Sequence, residues 1–384
     1  MLRRTLLAAP LALLAAPALA QSAAPPRTRW IVNSSEGLDA LAFLGPLSGK
    51  PFYARYYEAE IAAFKPRLSP ATTEALMSLH AGSDAAGGLL WPGLALVFSG
   101  GPVATLGDVL ASLDAAETVL KPPLQASAYW DPADWDGFLA GRERLRIVLS
   151  GLRDAGFVEF RRDLAQAAVA KRKADLAPLL ARLDIIAEQE RLLGRELDPQ
   201  VEIDLAWFCR PHGVRVQGQR FIAHVGASDQ VMVLTAAHEI LHPPFDMAGP
   251  TAKACLAVLE KDALFTRILA EKDKGTGYNT LDGILNEDTC QALDQIIQER
   301  VGYVVRPAAE RWTKGDQGMH VLAAGLYGLL KADGYDRTGG DLEAWMLAAA
   351  TSGKLAPPSL HAAAAKVLNR PADQLWVTPR TAPT

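Results

Sequence analysis

Residues His238-Glu239-Ile240-Leu241-His242 form the pattern H-E-x-x-H, in which two imidazoles four apart on a helix reach one metal ion from the same face. The carboxylate between them then lies beside the ion, where it serves as general base toward a water that zinc acidifies to a pKa of roughly 7. That chemistry is hydrolysis. His238 and His242 are the candidate metal ligands, Glu239 is the candidate base, and a single Zn2+ is the expected cofactor. A buried helix whose histidines are merely satisfied by hydrogen bonds is the competing explanation of the same residues.

Such a site needs a helix under it and a third ligand opposite. Gln230–Ala237 contains no Pro or Gly, so a helix is expected to run straight into the motif. Pro243 and Pro244 stop it, and Pro243 biases His242 away from helical geometry. Immediately upstream, Val201–Cys209 and Val214–Val225 read as strands, the second divided by a turn at Gln217-Gly218-Gln219.

Strands followed by an H-E-x-x-H helix resemble the gluzincin zinc metallopeptidases, and the resemblance spans roughly 201–305 of this chain. In that group an edge strand beside the zinc helix binds extended substrate by strand addition, a role that would fall to Arg220–Val225. The resemblance also implies a Glu ligand on a later helix. Leu285-Asn286-Glu287-Asp288 looks like that helix, which makes Glu287 the third metal ligand. Because 44 residues stand between His242 and Glu287, an inserted helix between Ala252 and Lys272 is required.

Glu260 and Glu299 are rival carboxylates, and Asp246 could ligate or orient a ligand. On a helix from Leu281 to Val301, Leu281, Leu285, Ala292 and Ile296 share one arc, whereas Glu287, Gln291, Asp294 and Gln298 share another. No third His follows at the spacing that a metzincin needs. An oxyanion-stabilising donor is expected across the cleft. His320 is the first candidate for this catalytic role, with Tyr303 and Tyr278 behind it.

The 384-residue chain carries a net charge of -4 and no basic run, which argues against a nucleic-acid partner. Arg3 and Arg4, the apolar stretch Leu6–Leu19 and the small residues Ala18 and Ala20 have the form of a signal peptide cleaved near Gln21. An exported bacterial protein, periplasmic or secreted, is expected, with no membrane span after cleavage. The same residues suit the general secretory and twin-arginine routes equally. Cys209, Cys255 and Cys290 are too few for a disulfide scaffold.

The expected fold is α+β and predominantly α-helical: a gluzincin-like zinc domain with a small β-sheet packed against the motif helix, plus extra helices. Its expected organisation is a signal peptide at 1–20, a flexible leader at 21–33, a helical N-terminal region at 34–196, a zinc metallopeptidase-like domain at 197–376 and a flexible tail at 377–384. Residues 82–107 read as a Gly-rich loop in which Leu94–Phe98 could be a strand. The function expected is an exported zinc metallopeptidase acting on a peptide or protein substrate. Its alternative is a non-catalytic exported binding protein with a relic or structural metal site.

Overall fold

The computed structural model describes residues 25–378, apart from Gly87, His212 and residues 274–276. The signal-peptide segment at 1–20, residues 21–24 of the leader and residues 379–384 of the tail therefore lie outside the described residues. Helices predominate. The strands are β1 (Arg29–Asn33), β2 (Gln200–Ala206), β3 (Val214–Val216) and β4 (Arg220–His224), hydrogen-bonded in the order β1-β2-β4-β3.

β1, β2 and β4 run parallel, with Arg29 opposite Gln200 and Glu202 opposite Arg220. The Gln217–Gln219 turn folds β3 back antiparallel onto β4, with Arg215 opposite Phe221, and Gly218 supplies its positive φ of 77°. Two sequence expectations are corrected here. Residues 29–33 are not leader but strand, because the apolar run Trp30-Ile31-Val32 pairs with β2. The chain is pinned just before it, where the backbone N–H groups of Arg27 and Thr28 donate to the Asp184 carboxylate at 2.8 and 2.9 Å. Arg220–Val225, the expected substrate edge, is interior instead, since β4 has β2 on one side and β3 on the other. The edges are β1 and β3.

Alternation along the strands divides two cores. Val201, Ile203, Leu205, Phe221 and Ala223 face one core, which is built mainly from helices C-terminal to the sheet, whereas Ile222, Val216 and Ala206 face a second core built from residues 38–157. Both faces are thus covered, as a largely parallel sheet requires. Leu176–Leu193, read from sequence with the N-terminal region, pack into the C-terminal core.

Asp39 ties the halves together. Its Oδ1 accepts from the backbone N–H groups of Trp207 and Phe208 at 2.8 and 2.9 Å, and its Oδ2 meets Arg161 Nε at 2.9 Å.

Elsewhere the 82–107 stretch is more helical than its glycines suggest, with a helix at Leu90–Phe98 where a strand was considered. A short apolar run gives no period to separate the two, and this one takes no place in the β1-β2-β4-β3 sheet. The insertion before Glu287 is two helices, Pro250–Leu259 and Ala263–Glu271. Among the described residues no helix is long and apolar enough to cross a membrane.

Candidate metal centre

The motif helix spans Asp229–Glu239 and opens at Ser228, whose hydroxyl accepts from Val231 N–H at 3.3 Å. It ends one turn earlier than its sequence suggests: residues 240–242 leave the helix, and the His242–Pro243 peptide is cis. The carbonyls this exposes are not abandoned. Arg215 Nη1, from β3, donates to Glu239 O at 2.8 Å and also to His242 O.

That clamp keeps the two imidazoles convergent, with Nε2 atoms 3.1 Å apart. The third member arrives on the helix Leu281–Val301, capped by Thr280 at its start and by Gly302, φ 78°, at its end. Glu287 presents Oε1 at 3.5 Å from His238 Nε2 and Oε2 at 3.5 Å from His242 Nε2. Around a tetrahedral ion, bonds of about 2.0–2.1 Å place neighbouring donors roughly 3.3 Å apart. His238, His242 and Glu287 therefore form a group that could hold a metal ion.

The polar arc read from sequence on this helix is buried along its whole length: Glu287, Gln291, Asp294 and Gln298 are each at most 7% exposed. Buried polar groups persist only when partnered, and these are. Gln291 Nε2 donates to Glu287 Oε1 at 2.9 Å while its Oε1 accepts from Trp312 Nε1 at 2.8 Å. Asp294 Oδ2 lies 2.8 Å from His238 Nδ1 and accepts from Arg311 Nη2 at 2.9 Å; Arg311 Nη1 and Gln298 Nε2 serve Oδ1. His242 Nδ1 lies 3.0 Å from Asn286 Oδ1, with the Cys290 thiol 3.4 Å away. Each imidazole thus has one nitrogen directed to the cluster and the other held by an oxygen acceptor, which fixes ring orientation.

Charge in the cluster follows from burial against these pairings. Burial raises the Glu239 carboxyl to about 7, although the neighbouring His238 pulls the other way. Burial works against a charged His238, but Glu287 and Asp294 hold its pKa well above the usual value. His242, pressed by burial and by the charge on His238, is pushed down to about 4. Glu287, despite burial, is held far below the carboxylate range by His238. The two acidic side chains so draw positive charge into this space, as a cation site must.

The rival carboxylates are placed elsewhere. Glu260 is exposed at the end of the Pro250–Leu259 helix. Glu299 lies about 18 Å farther along its helix than Glu287, accepting from Tyr327 Oη at 2.7 Å and Lys331 Nζ at 2.9 Å. Asp246 is exposed and caps Ala248 N–H at 3.0 Å.

Among the expected oxyanion donors, His320 is buried with both nitrogens engaged, Nδ1 by Asp288 Oδ1 at 2.5 Å and Nε2 by Asp316 Oδ2 at 3.1 Å. Tyr303 follows the far end of the Glu287 helix, which stops about 21 Å along its axis from Glu287. Tyr278 is the one nearest the cluster: the Glu287 carboxylate adds to the burial that raises its pKa, and its ring stands edge-on to His320 at 5.8 Å. It holds φ at 51°, and Asp316 and Gln317, also in the left-handed region, lie beside His320. Strained non-glycine residues gathered at one place are a mark of functional surroundings.

Cys209, Cys255 and Cys290 are free and buried. Asp294 was legible as a neighbour of Glu287 on one arc but not as the partner of His238. Arg215 carried no signal. No protein-family model matches the chain, and neither a curated protein nor a solved structure does.

Proposed function

We propose that this protein is an exported zinc-dependent hydrolase acting on amide bonds, most simply a metallopeptidase. The observation that carries the reading is the convergence of His238, His242 and Glu287, whose two Nε2 atoms lie 3.1 Å apart with one Glu287 oxygen 3.5 Å from each, and with a carboxyl at Glu239 beside them. Two nitrogens and one carboxylate, leaving a fourth position open, are the donor set of a hydrolytic rather than a structural zinc site. When bound there, zinc would supply Lewis acidity toward a carbonyl and lower the pKa of water.

The chain's own residues supply the remainder. Glu239 is held by the Arg215 backbone N–H, which donates to its Oε2 at 3.1 Å. With a carboxyl raised to about 7, it can take a proton from water and return it to the departing amine near neutral pH. Tyr278 is our choice over His320 for the donor that meets the developing oxyanion, because its ring stands beside His320 and it senses the Glu287 and Glu239 charges, while both His320 nitrogens are taken. The pattern at Arg3–Ala20 supports an exported location.

Metal analysis of the purified protein beside Glu287→Ala, Glu260→Ala and Glu299→Ala tests the centre. Zinc near one per chain, lost only in Glu287→Ala, is expected. The chemistry is tested by a peptide-pool assay, in which Glu239→Gln should keep zinc and lose roughly 10²–10⁴-fold in rate. Stoichiometric zinc with no cleavage of any pool would favour a non-catalytic metal-binding protein, and no zinc uptake at all would end both readings.

A further inference from the structure

We infer that the site takes short peptides or similarly compact amides, and does not accept an extended polypeptide by strand addition at the sheet edge beside the motif helix. The inference rests on the hydrolase reading for its substrate and on backbone hydrogen bonds for its shape.

Strand addition needs a sheet edge whose outward N–H groups, on alternate residues, are free to bond the incoming chain. The edge beside the motif helix is β3, three residues long. Its one outward donor, Arg215, and the next along the chain, Gln217, are both already used: Arg215 N–H by Glu239 Oε2 at 3.1 Å, Gln217 N–H by Ser99 Oγ at 3.0 Å.

Both ends of the edge are walled. At one end, a Cβ built on Gly213 would meet Thr235 Cγ2 of the motif helix at 2.6 Å. At the other, Gln217 Nε2 donates to Leu96 O at 2.9 Å and Val97 O at 3.3 Å of the Leu90–Phe98 helix. A Cβ on Gly100 would stand 2.8 Å from Gln217 Nε2 and Pro123 Cγ, so that junction has no slack. The approach is narrow as well. His238, His242 and Glu287 side chains are only 14, 16 and 7% exposed.

A side chain from the N-terminal half offers a further handle for substrate. The Tyr129 hydroxyl is buried with no hydrogen-bond partner among the described residues. Tyr129 packs against the N-terminal core, where burial raises its pKa and it senses the charges of Arg215 and Glu239. A buried hydroxyl without a partner is costly unless something arrives to bond it, and a compact amide beside Glu239 offers a carbonyl.

The test is isothermal titration of the zinc-loaded full chain with alanine peptides of about one to six residues ending in a hydroxamate, alongside hydrolysis of free peptides of matching length and of reduced casein. Affinity is expected to level off by about the third residue, changing less than roughly threefold beyond it, with casein cleaved at least about 100-fold more slowly than the best short peptide. A gain of about tenfold or more over the last residues, or casein cleaved as fast as short peptides, would overturn the inference, as would failure of every hydroxamate to bind. Hydroxamates that bind while no peptide is cleaved would remove the hydrolase reading, and the length series would still decide the shape. Tyr129→Phe should weaken the shortest hydroxamate roughly tenfold with zinc content unchanged; unchanged affinity would remove Tyr129 as the handle.

Discussion

His238 Nδ1 lies 2.8 Å from Asp294 Oδ2, and that carboxylate is itself gripped by Arg311 from outside the cluster. The contact aims the imidazole: with Nδ1 bound to the acid, Nε2 faces His242 and Glu287. Asp294→Asn keeps an oxygen at this position but removes the charge. Metal affinity, read by competition with a chromophoric chelator, should fall about 10–100-fold with the far-UV spectrum unchanged. An unaltered dissociation constant would show that Asp294 is only a partner of Arg311.

Arg215 does for the motif helix what its own next turn would have done. The chain leaves helical geometry after Glu239, and the guanidinium takes the Glu239 and His242 carbonyls in place of backbone donors. Arg215→Met retains the aliphatic stem and the backbone N–H to Glu239 while deleting that clamp. His242 should then be less well held and metal binding weaker by roughly tenfold. Equal affinity in the variant would mean that Pro243 and packing fix His242 unaided.

The fold was legible wherever the pattern was long. The Leu281–Val301 helix and the turn at Gln217–Gln219 stand where periodicity and turn residues put them. The His238, His242 and Glu287 group was legible too, because a fixed spacing on one helix and an Asn-Glu pair on another carry it. What escaped depends on distant partners. β1 is strand because β2 lies 171 residues later at Arg29 opposite Gln200, and the single apolar triplet of β1 has no period to announce that. The order β1-β2-β4-β3 makes β4 interior and β3 the edge, a choice made by the sheet and not by either strand's residues. Arg215 and Tyr129 likewise lie on short or irregular segments, and nothing local marks them as neighbours of Glu239.

Asp39 offers a test of how the N-terminal helices are tied to the segment that follows β2. It is fully buried and is the acceptor for Trp207 and Phe208 N–H groups as well as the partner of Arg161. Asp39→Ala leaves a guanidinium and two backbone donors unsatisfied, which should cost about 3–5 kcal/mol in urea unfolding. Asp39→Ala combined with Arg161→Met should recover part of that loss, since the stranded charge goes with it. A loss below about 1 kcal/mol in the single variant would show that the junction relaxes around the gap.

His320, buried between Asp288 and Asp316, gives the fold a pH dependence of known sign. Burial opposes its charge, but the Asp288 carboxylate outweighs this and raises its pKa to about 10. In the unfolded chain the same imidazole titrates near 6.5. The folded state therefore holds the proton more tightly: the contribution of His320 to stability is complete below about pH 6.5 and is lost as pH rises through about 10. Chemical unfolding at fixed metal content should show the protein weakening by a few kcal/mol, as an order of magnitude, between pH 7 and 10. His320→Gln cannot carry the charge, so it should be less stable at pH 7 and nearly flat over that interval once the common loss from tyrosines and lysines is subtracted. Parallel curves for the two proteins would mean that His320 is neutral in the folded state and that Asp288 keeps the proton instead.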